Sequence, residues 1–215
     1  GALNAILKTI LNPGEEVVTP APFFVEYTFY ADNHGGVLKT VPAKADFTLD
    51  LDALAGAISE KTRAVLINSP NNPTGQIYSK ESLDALAALL REKSAETGQV
   101  IYLLSDEPYR KIVYDGRTVP SVLSSYSESI VANSYSKEFS IPGERIGFIA
   151  ISPDAKYKAD LIAGMTLSNR ILGFVNAPAL MQRVIARLQG ASVDVARYAR
   201  KRDMLICNET VLEYL

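Results

Sequence analysis

VIYLLSDEPYR, residues 100–110, runs from an unbroken apolar stretch into an acid, a phenol and a base. Val100–Leu104 offers no polar face. Such a run marks a strand buried on both sides, as in a parallel sheet covered by helices. Two other stretches repeat the design. Ala64–Asn68 is followed by SPNNPTG (69–75), and Ser129–Asn133 by SYSK (134–137). In each, a buried strand delivers polar residues at its carboxyl end.

Working outward, helical and strand patterns alternate. Ala2–Leu11 places Leu3, Ile6, Leu7, Ile10 and Leu11 on one helical face, and Asn12-Pro13-Gly14 stops it. Glu16–Thr19 and Val37–Val41 read as strands. Phe23–Ala31 and Leu51–Ile58 read as helices. Ser79–Ala95 is an amphipathic helix, with Ser79 placed to cap its start and Gly98 behind its end. Ile146–Ile151 is a further strand, too close to 129–133 for a helical crossover, so one of the two is expected to run antiparallel at an edge. After Pro153 the pattern is helical, with Gly164, Gly173 and Gly190 as expected interruptions. The fold class is therefore α/β: a largely parallel central sheet flanked by helices, followed by helices leading toward a second domain. The expected division is 1–168 for the sheet domain and 169–215 for the helical extension. Gly1 is not an initiator Met, and KRDMLICNETVLEYL (201–215) stops within a helical pattern, so both ends read as cut.

Composition narrows the function. A hydrophobic fraction of 47 % and a charged fraction of 21 % fit a folded core and exclude disordered and coiled-coil chains. A net charge of −2 gives no reason to expect nucleic acid or a membrane surface as a partner. One His and one Cys make a His/Cys metal site or a Cys–His catalytic pair improbable, and no metal ligands are expected. A cytoplasmic setting is the expectation. His34, in NHGG, reads as a turn residue, Cys207 as a small apolar residue, and Tyr27, Phe29 and Tyr30 as core packing.

In an open α/β sheet, ligands bind outside the carboxyl ends of the strands. NPTG alone is an ordinary surface turn, Asp106 alone a turn former, and SxSK a common string. Taken together, each at a strand end and in this order, they match the needs of one cofactor. Pyridoxal phosphate (PLP) requires a lysine amine for a Schiff base and a carboxylate against its ring nitrogen. It also requires a phosphate cup of backbone N–H groups, hydroxyls and an arginine.

The chain resembles the class I/II aminotransferases of PLP fold type I, and among them the bacterial aspartate-aminotransferase-like enzymes. The resemblance is carried by GALNAILKTILNPGEEV (1–17), PAPFFVEY (20–27), NNPTG, DEPYRKIVYDG (106–116) and SYSKEFSIPGERIG (134–147), and more weakly by NRILGFVNAPA (169–179). It implies Lys137 as the catalytic, Schiff-base lysine. It implies Asp106 as the acid paired with the ring nitrogen, and Tyr109 and Asn72 as partners of the ring 3-oxygen. Phe24 falls where the family stacks an aromatic on the cofactor, with Phe23 as the near alternative. Ser134, Ser136, Arg145 and the N–H of Ala2 match phosphate ligands. Arg170 falls near a substrate-carboxylate contact that some relatives supply from the neighbouring subunit.

The implied partners are an amino acid, with aspartate the best guess, and a 2-oxo acid such as 2-oxoglutarate; the implied assembly is a homodimer. Complete family members are about twice this length, and the 215 residues alone are expected to turn over negligibly. The motifs leave open other fold type I chemistry, such as a carbon–sulfur lyase or a synthase. They equally leave open the aminotransferase-like sensor domain of a transcription regulator.

Overall fold

The computed structural model describes residues 1–191 and 193–207. The helical pattern expected over 208–215 lies outside the described residues. Six strands form one sheet: β1 (Glu16–Ala21), β2 (Val37–Pro42), β3 (Thr62–Asn68), β4 (Tyr102–Asp106), β5 (Ser129–Ser134) and β6 (Gly147–Ile151). Their order is β2-β1-β3-β4-β5-β6. All neighbours are parallel except β5 and β6, which pair antiparallel from Ile130↔Ile151 to Ser134↔Gly147. The edge strand thus runs as the short 134–147 connection required.

Among the described residues there are eight α-helices: α1 (Ala2–Ile10), α2 (Glu26–Asp32), α3 (Leu51–Ala57), α4 (Lys80–Thr97), α5 (Tyr135–Glu138), α6 (Lys158–Ile171), α7 (Ala179–Leu188) and α8 (Val195–Ile206). Strand alternation divides the core into two layers. Val18, Val65, Ile67, Leu103 and Val131 face Leu54 of α3 and Leu83, Leu86 and Leu90 of α4. Val17, Ala64, Leu66, Leu104 and Ala132 face Leu3, Ile6 and Leu7 of α1, Tyr27 of α2, and Leu161 and Met165 of α6. Burial of β3 and β4 on both faces explains why their sequences are apolar without alternation.

Boundaries shift where local chemistry wins. Ser79 caps α4 by accepting from Ser82 N at 3.2 Å, and Gly98 closes it in the left-handed conformation. Asp50 caps α3 in the same way through Ala53 N, at 3.0 Å. The helix expected over 23–31 begins only at Glu26, because Phe23 and Phe24 turn back toward the sheet. The strand read as 100–104 is displaced to 102–106, so Asp106 itself ends β4. Gly173 and Gly190 do interrupt the helices, at positive φ. Gly164 does not: it lies inside α6, where a Cβ would come 2.7 Å from Thr9 Cγ2, and so lets α1 and α6 approach closely. Thr9 and the buried Ser168 share a 3.0 Å hydroxyl contact across the same seam. Among the described residues, no helix is long and apolar enough to cross a membrane.

Two glycines give opposite tests of this packing. A Cβ on Gly147 would lie 2.3 Å from the Asn133 carbonyl oxygen, whereas one on Gly56, exposed in α3, meets nothing within 4 Å. G147A should therefore destabilise the chain by about 1–3 kcal/mol through forced backbone shift. G56A should stabilise it by roughly 0.5–1 kcal/mol through helix propensity. Denaturant midpoints of the two variants check both signs.

Candidate active site

The carboxyl ends of β3, β4 and β5 lie side by side, with Asn68 opposite Asp106 and Asp106 opposite Ala132. Asn68 is buried and works in two directions. Its Oδ1 accepts from Asn72 N at 2.6 Å, and its Nδ2 donates to the Asp106 carbonyl at 2.7 Å. One amide therefore fixes the loop after β3 to the end of β4. Asn71 shapes the rest of that loop by accepting from Thr74 N at 3.1 Å and from Thr74 Oγ1 at 2.9 Å. Gly75 supplies the positive φ that the turn needs. The Asn72 side chain lies near enough to the Tyr109 phenol to act on it, and both line one wall, so these two predicted residues meet. Beside them opens a cavity of about 450 Å³ lined by Pro70, Asn72, Tyr109, Ile112 and Arg117.

At the end of β4 consecutive carboxylates face opposite ways. Glu107 is buried, accepts from Ser105 Oγ at 2.9 Å and pairs with Arg110 at 2.9 Å. Arg110 also donates to the Val119 carbonyl at 2.7 Å, which holds the turn carrying Tyr109. Asp106 points to the other side. Its Oδ2 accepts from the Tyr27 hydroxyl at 2.7 Å; its Oδ1 takes no hydrogen bond among the described residues. Burial pushes the Asp106 carboxyl up to about 6, with the charge of Glu107 adding to the rise. The Tyr27 hydrogen bond opposes it.

Ser134 ends β5 and caps α5: its Oγ accepts from Ser136 N at 3.1 Å and lies 2.8 Å from Ser136 Oγ. Lys137, on the same turn, is exposed, and its amine makes no hydrogen bond or ion pair among the described residues. Its neighbour Glu138 is buried and pairs with Lys111, which also sits 5.7 Å from the Phe139 ring centre. This pair ties the loop after β4 to the lysine turn.

Arg145 is exposed, adopts the left-handed conformation (φ 50°) and donates to the Pro142 carbonyl at 2.6 Å. Gly1, the residue before α1, lies near both Arg145 and Asp106, so the amino end of α1, with Ala2 as its first residue, faces this cluster. Phe23 stacks on Tyr27 at 6.4 Å and Phe24 meets it edge-on at 5.6 Å.

The structure thus gathers Ala2, Asn72, Asp106, Tyr109, Ser134, Ser136 and Lys137 around the carboxyl ends of the central strands, with Phe24 beside Asp106 through Tyr27. Arg170 is exposed at the end of α6 and makes no hydrogen bond or ion pair with this cluster. His34 sits in a turn, as expected. Cys207 is exposed at the end of α8. Sequence reasoning missed three contributors: Asn68, the Lys111–Glu138 pair, and Tyr27, which was assigned to the core. A polar residue ending an all-apolar strand was the available signal for Asn68. For Tyr27 it was a phenol on a buried helix face, which needs a partner for its hydroxyl. A larger cavity of about 640 Å³ lies at the opposite end of the strands, among Thr9, Arg63, Tyr102 and Lys156. It is far from Lys137 and Asp106, and chemistry rather than volume identifies the site.

The model of the family "aminotransferase class I and II" matches residues 1–208. The chain belongs to this family. The probable aspartate aminotransferase of Methanocaldococcus jannaschii is 31 % identical over 96 % of the chain and 54 % of its own length. The aspartate/prephenate aminotransferase of Thermus thermophilus is 34 % identical over 98 % of the chain and 54 % of its own. An aminotransferase of Eubacterium rectale superposes with a TM-score of 0.93 at 42 % identity, covering 95 % of this chain and 52 % of that one. The chain thus spans about half the length of the relatives it matches. Members of the class I/II aminotransferases use PLP, and the donor set here fits it. A buried carboxylate with one oxygen free suits a protonated ring nitrogen, while two hydroxyls and a helix amino end beside an arginine suit a phosphate.

Asp106 should leave a signature in the pH dependence of stability. Its folded-state pKa, about 6, lies above the ordinary 3.8, so the folded chain holds this proton more tightly than the unfolded one. Its contribution to stability is full below 3.8 and is lost as pH rises toward about 6. Denaturant titrations of the wild type and D106N across this range should diverge, with the wild type losing stability relative to D106N. Parallel curves would mean that Asp106 is not buried as described.

Proposed function

We propose that the protein carrying this chain is a PLP-dependent aminotransferase, moving an amino group between an amino acid and a 2-oxo acid. The observation that carries this reading is the placement, at the carboxyl ends of β4 and β5, of a buried carboxylate and a lysine amine that each take no ion pair among the described residues. When bound, PLP supplies an electron sink conjugated to the substrate α-carbon. The rest falls to the protein. Asp106 holds the proton on the ring nitrogen. Tyr109 and Asn72 donate to the ring 3-oxygen, and Phe24, with Phe23 as the near alternative, packs on the ring. Ser134, Ser136, Arg145 and the N–H of Ala2 hold the phosphate, the arginine through its fixed fork and permanent charge. Lys137 tethers the cofactor. With its amine free, Lys137 would act as the general base that takes the substrate α-proton. Its freedom from ion pairs in α5 supports that role.

Aspartate is the proposed amino donor and 2-oxoglutarate the proposed acceptor. Support comes from the relatives named aspartate and aspartate/prephenate aminotransferases. Residues 169–215 are proposed to lead into a second domain, and the setting is proposed to be cytoplasmic, where a lone exposed thiol such as Cys207 stays reduced. We also propose a homodimer with the face near Asn72 and Arg170 close to the partner. Exposed Leu167 and Ile171 on α6, both about 60 % accessible, support it; a purely monomeric sedimentation profile of the full-length protein at micromolar concentration would contradict it.

Borohydride reduction of PLP-loaded full-length protein should fix the cofactor to the peptide containing Lys137. Label on Lys111 instead would overturn the assignment. With aspartate and 2-oxoglutarate, D106A should lower the rate at least about a hundredfold, or ~2.7 kcal/mol. A fall below about fivefold would leave Asp106 a structural residue. Release of ammonia or a thiol in place of a new amino acid would replace transamination by lyase chemistry.

A further inference from the structure

We propose that Tyr27 is a positioning residue for Asp106: its hydroxyl fixes one carboxylate oxygen and keeps the acid ionised, leaving the second oxygen for the ring nitrogen of the cofactor. The inference rests on the aminotransferase reading and adds a residue to its machinery.

The geometry is specific. Tyr27 is 1 % exposed and donates to Asp106 Oδ2 at 2.7 Å, from a different element, across 79 positions of sequence. Its ring is held between Phe23, stacked, and Phe24, edge-on. A tyrosine has two side-chain torsions, and this packing leaves neither free. The hydroxyl position is therefore set by the same aromatic pair that supplies the candidate stacking residue. The phenol is also a committed donor. Burial, then the charge of Asp106, drives its pKa far above the ordinary value, so it does not ionise in the working range.

A hydrogen bond donated to a carboxylate favours the charged form. The groups facing Asp106 make that contribution decisive. On its own strand end Glu107 pushes its pKa up, and burial pushes it further. Against these stands the Tyr27 hydroxyl from α2. The phenols of Tyr30 and Tyr109 both feel the Asp106 charge, and neither lowers its pKa as Tyr27 does. Arg145 lies near enough to act on Tyr30. Without the Tyr27 hydroxyl, the acid would take up its proton at higher pH. A neutral acid cannot balance a protonated ring nitrogen.

The test is the equilibrium dissociation constant of PLP for the full-length protein, wild type against Y27F, across pH. Taking the ratio of the two proteins at each pH cancels titrations that they share. A rise of one unit in the Asp106 pKa weakens Y27F about fivefold at pH 6 and less than about twofold at pH 8.5. A pH-independent Y27F ratio, or an unchanged affinity, would overturn the role of Tyr27. Should Y27F fail to fold, difluorotyrosine placed at position 27 keeps the shape and strengthens the donor. It should shift the affinity profile to lower pH, and an unshifted profile would overturn the proposal. Failure of the wild type to bind PLP at any pH would instead overturn the aminotransferase reading itself.

Discussion

A carboxylate buried at the end of a central strand is the constraint on which this site depends. Asp106 ends β4, which is covered on both faces and paired on both edges. Its backbone cannot move without disturbing the sheet. Asn68 grips its carbonyl from β3, and Glu107 N, the next donor, reaches the Ala132 carbonyl of β5 at 2.8 Å. Placing an ionisable group there is unfavourable unless a partner answers it. The protein supplies one hydrogen bond, from Tyr27, and leaves the second oxygen for a ligand. The raised pKa of Asp106 is the physical trace of that incomplete answer.

The remaining groups are arranged around this fixed point by short, tightly bonded turns. Asn68 carries the restraint from Asp106 to Asn72, which lines the same cavity as Tyr109. The Glu107–Arg110 pair braces the same turn from the opposite side of the strand. Lys111 and the buried Glu138 connect it to the helix that presents Lys137. Backbone strain accumulates on the far side of that helix, where Ser140 and Arg145 both adopt positive φ. Non-glycine residues held in this region cost energy and persist only where surrounding contacts fix them. Here the strained segment returns the chain to β6 and carries Arg145 to the amino end of α1. The site is therefore rigid at its acid and phenol, and most irregular where a phosphate would be held.

The α/β class, the antiparallel edge strand and the motifs at three strand ends were legible in the sequence, because burial on both faces writes an apolar run and chemistry writes polar residues after it. Ser79 and Gly98 were legible as caps because capping is local. What escaped notice depended on tertiary contact. Phe23 and Phe24 carry enough apolar surface to extend a helical pattern, yet packing near Tyr27 draws them into the loop. Gly164 reads as a helix breaker in one dimension and is a close-approach site against Thr9 in three. Tyr27 reads as core because its ring is core; only its hydroxyl, meeting a residue 79 positions away, belongs to the site.

Isotope-edited carbon NMR of the Asp106 carboxyl, in full-length protein with and without PLP, tests the central claim most directly. The account predicts a carboxyl that titrates near 6 without the cofactor and stays ionised well below its ordinary range once the cofactor is bound, because the protonated ring nitrogen completes its pairing. A titration that is the same in both states would contradict it, since Asp106 would then face no cation in the loaded site.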